Sequence, residues 1–278
     1  MSLQFVVDQD LCIGCGECAL DCPMAVIAMG YQITELPEEN EERCLKCQHC
    51  VAVCSTGALS ILGIKPEDCI QTEDVSPSMK EQLAMLFKGR RSIRRYRQEA
   101  VSPDDIDYLL NGVAYAPTAV NNRLVHLTVV ENPGAMEAVR TSFYEALDAK
   151  MASGSLGQGM EFYLNLITRA RSAGRDAIFR DAPHMLIASA PRVSSSPAAD
   201  CFIALSYFEI LAAGMGLGTL WCGLAKWAMT VVDPDSIKRL GIPEDHEVVY
   251  MMLFGWPAVS YHRTVLRESI NVRRISRI

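Results

Sequence analysis

The feature that most restricts the fold of this chain is the placement of its cysteines. Of the 11 cysteines, eight lie in one N-terminal segment, where they form two runs with the same Cys-x2-Cys-x2-Cys-x3-Cys spacing. The first run consists of Cys12, Cys15, Cys18 and Cys22, and the second consists of Cys44, Cys47, Cys50 and Cys54. Each run is followed by a short apolar segment, so the sequence contains an internal repeat.

The spacing of the two runs is typical of iron–sulfur ligands. Three thiolates in a short Cys-x2-Cys-x2-Cys loop bind irons of one cubane cluster, and the fourth cysteine reaches the other cluster. We therefore predict two [4Fe–4S] centres, one held by Cys12, Cys15, Cys18 and Cys54, and one held by Cys44, Cys47, Cys50 and Cys22. Structural zinc is an alternative, although zinc sites usually pair two Cys-x2-Cys knuckles across a longer gap. A disulfide scaffold would need an oxidising compartment.

Charge and hydropathy narrow the possible partners. The first residues carry no basic or long apolar stretch, so we expect no signal peptide and a cytoplasmic location. No apolar run approaches about 18 residues, so no membrane span is expected. The formal net charge is -7, unlike the basic surfaces of nucleic-acid-binding proteins, so no nucleic-acid partner is expected. Residues 1–65 contain nine acidic and three basic residues, so most of this charge belongs to the cysteine-rich segment.

With these two runs, residues 1–65 resemble a bacterial-type two-cluster ferredoxin. The resemblance implies a small ferredoxin-like βαββαβ module that carries single electrons. One departure from the family pattern is Ser55, which stands where a proline usually follows the last cysteine. Because the segment is acidic and its clusters would add negative charge, we expect its electron donor to present a basic face.

The remainder of the chain predicts a second domain. Residues 66–78 have the proline-rich, acidic composition of an exposed linker, which leaves residues 79–278 for this domain. Its first helix is indicated by apolar periodicity from Met79, and another begins at Ser102, a helix cap followed by proline. Strands are predicted at 126–130, 184–189 and 247–254, and a buried helix at 197–211. Helices separated by strands predict an α+β domain with a central sheet flanked by helices.

Two glycine-containing stretches are expected to be irregular. Residues 146–175 are rich in glycine and serine, and we predict a mobile excursion there. Residues 214–223 follow the buried helix, and we interpret them as its glycine-rich C-terminal end. They do not match the dinucleotide pattern G-x-G-x-x-G, because Thr219 replaces the last glycine and no predicted strand precedes them.

Four dispersed segments carry candidate binding residues. The run Arg90–Tyr96 places guanidinium groups and a hydroxyl close together, which suits bidentate phosphate binding, although a solvated basic turn has the same composition. The other three segments are a polar turn, the glycine-rich stretch already described, and a strand end followed by a basic tail. They lie at 117–123, 214–223 and 254–263.

In this order and spacing, the four segments resemble the FMN-dependent nitroreductase family over roughly residues 80–270. The resemblance implies a homodimer with FMN at the subunit interface. It places Arg90, Ser92 and Arg263 at the ribityl phosphate, with Arg91 beside them. It places Arg94 at the N1–C2=O edge of the flavin ring, where a cation stabilises charge that develops on the reduced ring.

The resemblance also implies contacts with the flavin ring. Asn121, preceded by Pro117 and Thr118, matches the asparagine at the ring edge. Trp221 leads into Cys222, Gly223 and Leu224, the stretch whose backbone N–H reaches flavin N5. Two departures from the family pattern occur: Arg123 and Leu124 replace a common Gln-Pro pair, and Cys222 stands where an aliphatic or acidic residue is usual. No base or second cysteine is close to Cys222 in sequence, so we interpret its thiol as packing.

Together the two resemblances imply an iron–sulfur flavoprotein oxidoreductase. Electrons would pass from the clusters to FMN and on to a small electrophile such as a nitroaromatic, a quinone or an activated alkene. Reduced ferredoxin or NAD(P)H is the expected donor. Two alternatives stay open: an electron relay that serves a protein partner through a shielded flavin, and a family offshoot that acts on flavin or on halogenated aromatics. Residues 151–174 discriminate between the reductase and the relay, because they would gate the flavin in the first and seal it in the second.

Overall fold

The computed structural model describes residues 3–30, 34–69, 77–156 and 160–277. The contacts divide the chain into two compact units, of which the first consists of Met1–Val75 and Ala119–Asn122, and the second of Ser76–Thr118 and Arg123–Ile278. Residues 70–76 of the predicted linker lie outside the described residues. The segment Ala119–Asn122 groups with the first unit because the side-chain amide of Asn121 donates to the carbonyl of Leu45 at 2.9 Å. The predicted boundaries did not anticipate this grouping.

The first unit is built from very short elements. In chain order they are β1 (Val6–Val7), α1 (Glu17–Leu20), β2 (Ala28–Met29), β3 (Thr34–Glu35), α2 (His49–Ala52) and β4 (Leu59–Ser60). Strand β1 pairs with β4 and β2 pairs with β3, both antiparallel. Glu38–Arg43 and Pro66–Asp68 form 3-10 turns. A small apolar core that includes Leu3, Leu59 and Ile61 lies between these elements.

The cysteine repeat is also a repeat of backbone conformation. Gly14 and Gly16 in the first run have φ values of 66° and 76°, and the equivalent Lys46 and Gln48 in the second run have 55° and 63°. Glycine adopts left-handed conformations readily, whereas other residues lose about 1–2 kcal/mol there. The second run keeps the same loop shape in spite of that cost, so the geometry of the loop matters more here than local preference.

The second unit contains a sheet and seven helices among its described residues. In chain order the elements are α3 (Pro77–Gly89), α4 (Pro103–Val113), β5 (His126–Val130), α5 (Pro133–Ser153), α6 (Glu161–Ser172), β6 (His184–Pro191), α7 (Pro197–Gly214), β7 (Gly218–Trp221), α8 (Gly223–Trp227), α9 (Asp235–Arg239) and β8 (His246–Gly255). A π-helical turn, Ala228–Val232, follows α8. The sheet order is β5-β6-β8-β7, and all neighbours are antiparallel.

The sheet of the second unit is covered on both faces. Leu186 and Met252 belong to the apolar cluster that contains α4 and α7, whereas Met185 and Leu253 belong to the cluster that contains α5 and α8. Successive strand residues point to opposite faces, so the continuous apolar run of β6 supplies both clusters. The arrangement is the predicted α+β domain with a central sheet flanked by helices.

Most predicted elements of this unit are confirmed. The strands at 126–130, 184–189 and 247–254 are present, and the last two are slightly longer than predicted. The Ser102 hydroxyl accepts from the backbone N–H of Asp105 at 3.1 Å, so α4 has the expected cap. Helix α7 is long and apolar enough to cross a membrane, but Leu205 and Phe208 are fully buried in the apolar core of the second unit. One face of the helix is buried, as the sequence predicts, and the other face carries the exposed Phe202 and Tyr207.

Two expectations were wrong. The stretch 146–175 is mainly helical, because α5 continues to Ser153 and α6 covers 161–172; residues 157–159 lie outside the described residues. Leu147 and Ile167 are buried in the core, and this burial stabilises helices whose glycine and serine content suggests mobility. The glycine-rich stretch 214–223 contains the edge strand β7 instead of only a helix end.

Candidate functional site

Four cysteines of the first unit line one cavity. They are Cys22, Cys44, Cys47 and Cys50, the set predicted for one of the two clusters. The fourth cysteine of the first run therefore lies with the first three of the second run. The backbone N–H of Lys46 points at the sulfur of Cys44 at 3.4 Å, a contact that stabilises a thiolate. Burial, with smaller contributions from the nearby Cys47 and Cys44, raises the pKa of the Cys50 thiol to about 11.

The donor set of this cavity suits a cluster. Thiolates that repel one another bind a cationic iron core readily, and each thiolate of a [4Fe–4S] cluster bonds to a separate iron. Among the described residues, no three His, Cys, Asp or Glu side chains are placed to hold one metal ion.

Two cysteines of the other predicted set, Cys18 and Cys54, form hydrogen bonds with neighbouring residues. The backbone N–H of Ala58 donates to the sulfur of Cys54 at 3.2 Å. The Cys18 thiol donates to the Thr34 hydroxyl at 3.5 Å. The hydrogen bonds from Thr56 and Ala58 lower the pKa of Cys54, although burial acts in the opposite direction. Cys54 is therefore deprotonated more readily than an ordinary thiol, and a metal ligand must be a thiolate.

In the second unit, the arginine run lies along the edge strand β7. The backbone N–H of Ile93 donates to the carbonyl of Thr219 at 2.8 Å, and Ser92 forms a parallel bridge with Thr219. A side chain at Gly218 would meet Ile93 at 2.4 Å, so only glycine permits this approach. The sequence motifs around residues 90–94 and 218–224, distant along the chain, are therefore neighbours in the fold.

Arg90 forms an ion pair with an acidic residue that was not among the site residues predicted from the sequence. The guanidinium of Arg90 contacts the Glu209 carboxylate at 3.0 Å, and the Thr219 hydroxyl donates to the same carboxylate at 3.2 Å. Glu209 is buried in the otherwise apolar α7. A buried acid in an apolar helix requires a partner, which is the signal that could have identified it.

The other arginines of the run have free donors. Arg91 donates from its terminal nitrogen to the carbonyl of Lys88, and its Nε is buried with no partner among the described residues. Arg94 is exposed and donates to the carbonyl of Ser92 at 3.3 Å. With Arg90 anchored on one side by Glu209, the run offers guanidinium N–H groups to an anion, so these residues fit a phosphate.

Cys222 has a structural role in this geometry. Its sulfur accepts from the backbone N–H of Ala225 at 3.4 Å and donates to the carbonyl of Ile178 at 3.3 Å, so it caps α8. Burial raises the pKa of the Cys222 thiol above its ordinary value. A buried, protonated thiol is a poor nucleophile, which favours the packing interpretation. Gly223 and Leu224 open α8, and Trp221 ends β7.

The remaining predicted site residues are less closely grouped. The hydroxyl of Thr118, which follows Pro117, accepts from the backbone N–H of Arg123 at 3.0 Å. Asn121 belongs by its contacts to the first unit. Arg263 lies in an exposed, irregular segment after β8, and no described contact joins it to Arg90. Their predicted flavin contacts stay predictions.

A large cleft opens in the second unit. Its volume is about 1220 Å³, and its walls include Arg94 and Tyr96 from the arginine run, together with α6 and the loop that follows α6. Pockets of this order accept small organic ligands. Since Arg94 is common to the cleft and to the predicted flavin contacts, the cleft is a candidate substrate site.

Comparison with known proteins matches the two parts of the chain to two different families. The nitroreductase family model matches residues 87–256, and the 4Fe-4S dicluster domain model matches residues 11–58. A putative NADH dehydrogenase/NAD(P)H nitroreductase of Streptomyces coelicolor is 25% identical over 173 residues, which cover 62% of this chain and 84% of that protein. An uncharacterized ferredoxin of Methanocaldococcus jannaschii is 32% identical over 68 residues, which cover 24% of this chain and 88% of that protein.

Solved structures show the same fold for the second unit. The FMN-dependent nitroreductase of Clostridium difficile R20291 matches with a TM-score of 0.53 at 18% identity, over 70% of this chain and 100% of that chain. A nitroreductase with bound FMN from Desulfitobacterium hafniense also matches with a TM-score of 0.53, at 20% identity, over 69% of this chain and 98% of that chain. The chain belongs to the nitroreductase family and carries an N-terminal 4Fe-4S dicluster domain of the ferredoxin type.

Proposed function

We propose that this protein is an iron–sulfur flavoprotein oxidoreductase with two [4Fe–4S] clusters in its ferredoxin domain and FMN in its nitroreductase domain. It would use electrons from the clusters to reduce a small electrophile, such as a nitroaromatic, a quinone or an activated alkene. When bound, the clusters supply one-electron transfer and FMN supplies reduction of the acceptor. The observation that carries the proposal is the cavity lined by Cys22, Cys44, Cys47 and Cys50, in a chain of this family.

The cluster ligands follow from the repeat. The cavity combines cysteines from both runs, as a crossed pair of clusters requires. The second run has the same left-handed loop positions as the first, which supports an equivalent site made by Cys12, Cys15, Cys18 and Cys54. The described elements of this unit occur in the order strand, helix, strand, strand, helix, strand, which supports a βαββαβ module.

The FMN phosphate would be held by the arginine run. Glu209 fixes one side of Arg90 at 3.0 Å and leaves its remaining N–H groups for an oxyanion. Arg91 adds its unpartnered Nε, and Ser92 adds a hydroxyl. Arg94 would place its positive charge at the N1–C2=O edge of the ring, and the backbone at Gly223 would meet the N5 side. Several solved nitroreductases of this fold contain bound FMN, which supports the assignment.

The name of the Streptomyces coelicolor relative supports NAD(P)H as a donor. The acidity of residues 1–65 supports a basic protein donor for the clusters, such as a reduced ferredoxin that presents a basic face.

A homodimer is supported by apolar side chains that remain exposed on two helices: Leu83 and Phe87 on α3, and Tyr207 on α7. Exposed apolar surface of this kind is typical of protein interfaces.

The geometry of α6 favours an enzyme over an electron relay. Asn165, Leu166 and Arg169 on this helix line the open cleft beside Arg94 instead of closing it. A relay with a shielded flavin would need this segment to cover the ring. Residues 157–159, which belong to the discriminating stretch, lie outside the described residues.

Metal and flavin analysis of two cysteine variants tests the proposal. Anaerobically purified protein is expected to contain about eight irons per chain, four from each cluster, and one FMN. Cys47→Ser should lower the iron content to about four per chain, because it removes a ligand of one cluster. Its FMN content should be unchanged, since the flavin belongs to the other domain.

Cys69→Ser is the matched control, because Cys69 is exposed and lies outside both runs. It should retain all the iron of the natural protein. Iron content below about two per chain in the natural protein would refute the cluster assignment, since even one [4Fe–4S] cluster supplies four. Absence of FMN would refute the flavin assignment. Reduction of nitroaromatics, quinones and alkenes with NAD(P)H or reduced ferredoxin would then identify the acceptor class.

A further inference from the structure

The cleft of the second unit is unusually rich in arginine. Six arginines line it, whereas its acidic residues are Glu137, Asp176 and Asp181. The six, which define what we call the arginine cleft, are Arg94, Arg95, Arg140, Arg169, Arg175 and Arg180. They come from separate parts of the chain: the arginine run, α5, α6, and the loop between α6 and β6.

The acidic residues do not neutralise this charge. Glu137 pairs with Arg140 at 2.9 Å, so these two cancel each other. The carboxylate of Asp176 accepts from the two backbone N–H groups of Ile178 and Phe179, at 2.9 and 3.0 Å. Burial, and after it the negative charge of Asp176, raises the pKa of Asp181, whereas Arg140 lowers it. Even with all three acids ionised, three carboxylates stand against six guanidinium groups in the cleft.

Once Arg140 is paired with Glu137, five arginines of the cleft remain with two carboxylates, so the cleft keeps an excess of positive charge. Among the described residues, none of the five has an ion-pair partner within 4.0 Å. They are Arg94, Arg95, Arg169, Arg175 and Arg180. A concave surface lined by one sign of charge concentrates ions of the opposite sign, and a guanidinium fork matches the two oxygens of an oxyanion.

The cleft borders the predicted N5 environment of the flavin. Ile178 stands in the loop that carries Arg180 and accepts a hydrogen bond from the Cys222 thiol at 3.3 Å. The positive charge of Arg180 lowers the pKa of that thiol, against the larger effect of burial, so the two side chains are close enough to interact. Arg94, expected at the flavin edge, lines the same cleft.

The loop that presents Arg180 has an unusual backbone. Arg180 and Asp181 have φ values of 57° and 53°, a left-handed conformation that is unfavourable for residues other than glycine. The side chain of Gln98 donates to the carbonyl of Asp181 at 3.0 Å and helps to hold the loop in place. Backbone strain maintained by its surroundings is concentrated at ligand-binding positions.

We propose that the arginine cleft binds electron acceptors that carry an oxyanion group, a carboxylate or a phosphate, and so selects anionic over neutral substrates. This inference rests on the proposed function, because it names the substrate class of the same site. The unpaired Arg169 and Arg180, from two different elements, would hold the oxyanion and direct the rest of the acceptor to the reducing side of the flavin.

Calorimetric titration of the oxidised holoprotein tests the proposal without turnover. The probes are 4-nitrobenzoate and 4-nitrobenzamide, which share a shape and differ in charge. The dissociation constant of the benzoate is expected to be about tenfold lower than that of the amide, the size of one charge-assisted hydrogen bond. Arg180→Gln should remove most of this preference, and Arg169→Gln gives a second test on a regular helix if the loop variant does not fold.

Lys238→Gln is the control variant. Lys238 is exposed on α9 and lies outside the cleft, so removal of its charge should leave the preference unchanged. Equal affinities of the natural protein for the two probes would overturn the proposal. A preference that survives in both folded arginine variants would overturn it as well. Because the titration needs no electron transfer, its failure is distinguishable from a failure of the proposed oxidoreductase activity.

A titration with NADP⁺ and NAD⁺ separates the acceptor from the donor as the source of the oxyanion. If Arg180→Gln weakens NADP⁺ relative to NAD⁺ and leaves the ratio of the nitrobenzoate and nitrobenzamide affinities intact, the cleft recognises the donor phosphate. The acceptor proposal is then wrong. If the variant changes the ratio of the two nitro compounds alone, the acceptor proposal is supported.

Discussion

A polar side chain is tolerated in a protein core only when its hydrogen-bonding groups find partners. His184 at the start of β6 is fully buried, and its Nε2 accepts from the backbone N–H of Val101 at 2.8 Å. Its ring stacks on Phe254 with centroids 4.9 Å apart. Burial lowers the pKa of His184, so the folded protein favours the neutral ring that can accept this bond.

This pKa shift predicts a pH dependence of stability. On acidification the unfolded chain protonates His184 near its ordinary value of about 6.5, before the folded protein does. The free energy of unfolding that this residue contributes is therefore present above about pH 6.5 and is lost as the pH falls below it. We expect His184→Gln, whose side-chain oxygen can accept from Val101, to lose less stability than the natural protein between pH 7.5 and 5.5.

Chemical denaturation at the two pH values measures the effect. Loss of clusters in acid affects every variant, so the informative quantity is the difference between variants at each pH. His126→Gln is the matched control, because His126 is exposed at the start of β5. It should follow the natural protein. Equal pH dependence in His184→Gln and the natural protein would contradict the assignment.

At the scale of elements, the candidate flavin site depends on how closely β7 approaches the arginine run. Gly218 opens β7, and a methyl group there would lie 2.4 Å from the side chain of Ile93. We expect Gly218→Ala to destabilise the protein by about 1–3 kcal/mol, the usual cost of overpacking. It should also lower the FMN content of the purified protein, because Arg90 and Ser92 would move away from Trp221 and Cys222.

Gly214→Ala is the control for this change. Gly214 ends α7, has a helical backbone and has no atom within 4 Å of an added methyl group. Alanine there should leave the stability unchanged or raise it slightly, since alanine is the better helix former. Thermal denaturation and flavin absorbance of both variants provide the measurement. Normal FMN content in Gly218→Ala would show that the close approach is not required for the site.

At the scale of the whole molecule, the exposed apolar faces of α3 and α7 predict a dimer. The chain has a mass of 30.7 kDa, and light scattering should report about twice that value if two copies associate. Phe87→Glu places a charge on the exposed face of α3, and we expect a monomer with reduced FMN content. Val193→Glu is the control, because Val193 is 93% exposed in the turn before α7. A dimeric Phe87→Glu variant would exclude α3 from the interface.

The sequence alone identified the features that depend on spacing along the chain. Local patterns identified both cysteine runs, the cap at Ser102 and the apolar strand segments, because metal loops, helix ends and strands are formed by residues close in sequence. The order of the four nitroreductase segments was likewise sufficient to recognise the family. Residues 146–175 were misjudged because their helicity comes from the burial of Leu147 and Ile167 against distant partners.

Only the tertiary structure decided which distant residues meet. It paired Glu209 with Arg90 and gathered arginines from four parts of the chain around one cleft. These contacts depend on the approach of β7 to the arginine run and on the packing of α5 and α6, which no local pattern encodes. Spacing therefore determined which cofactors the chain can hold, whereas long-range packing decided how its charged side chains are arranged to select a substrate.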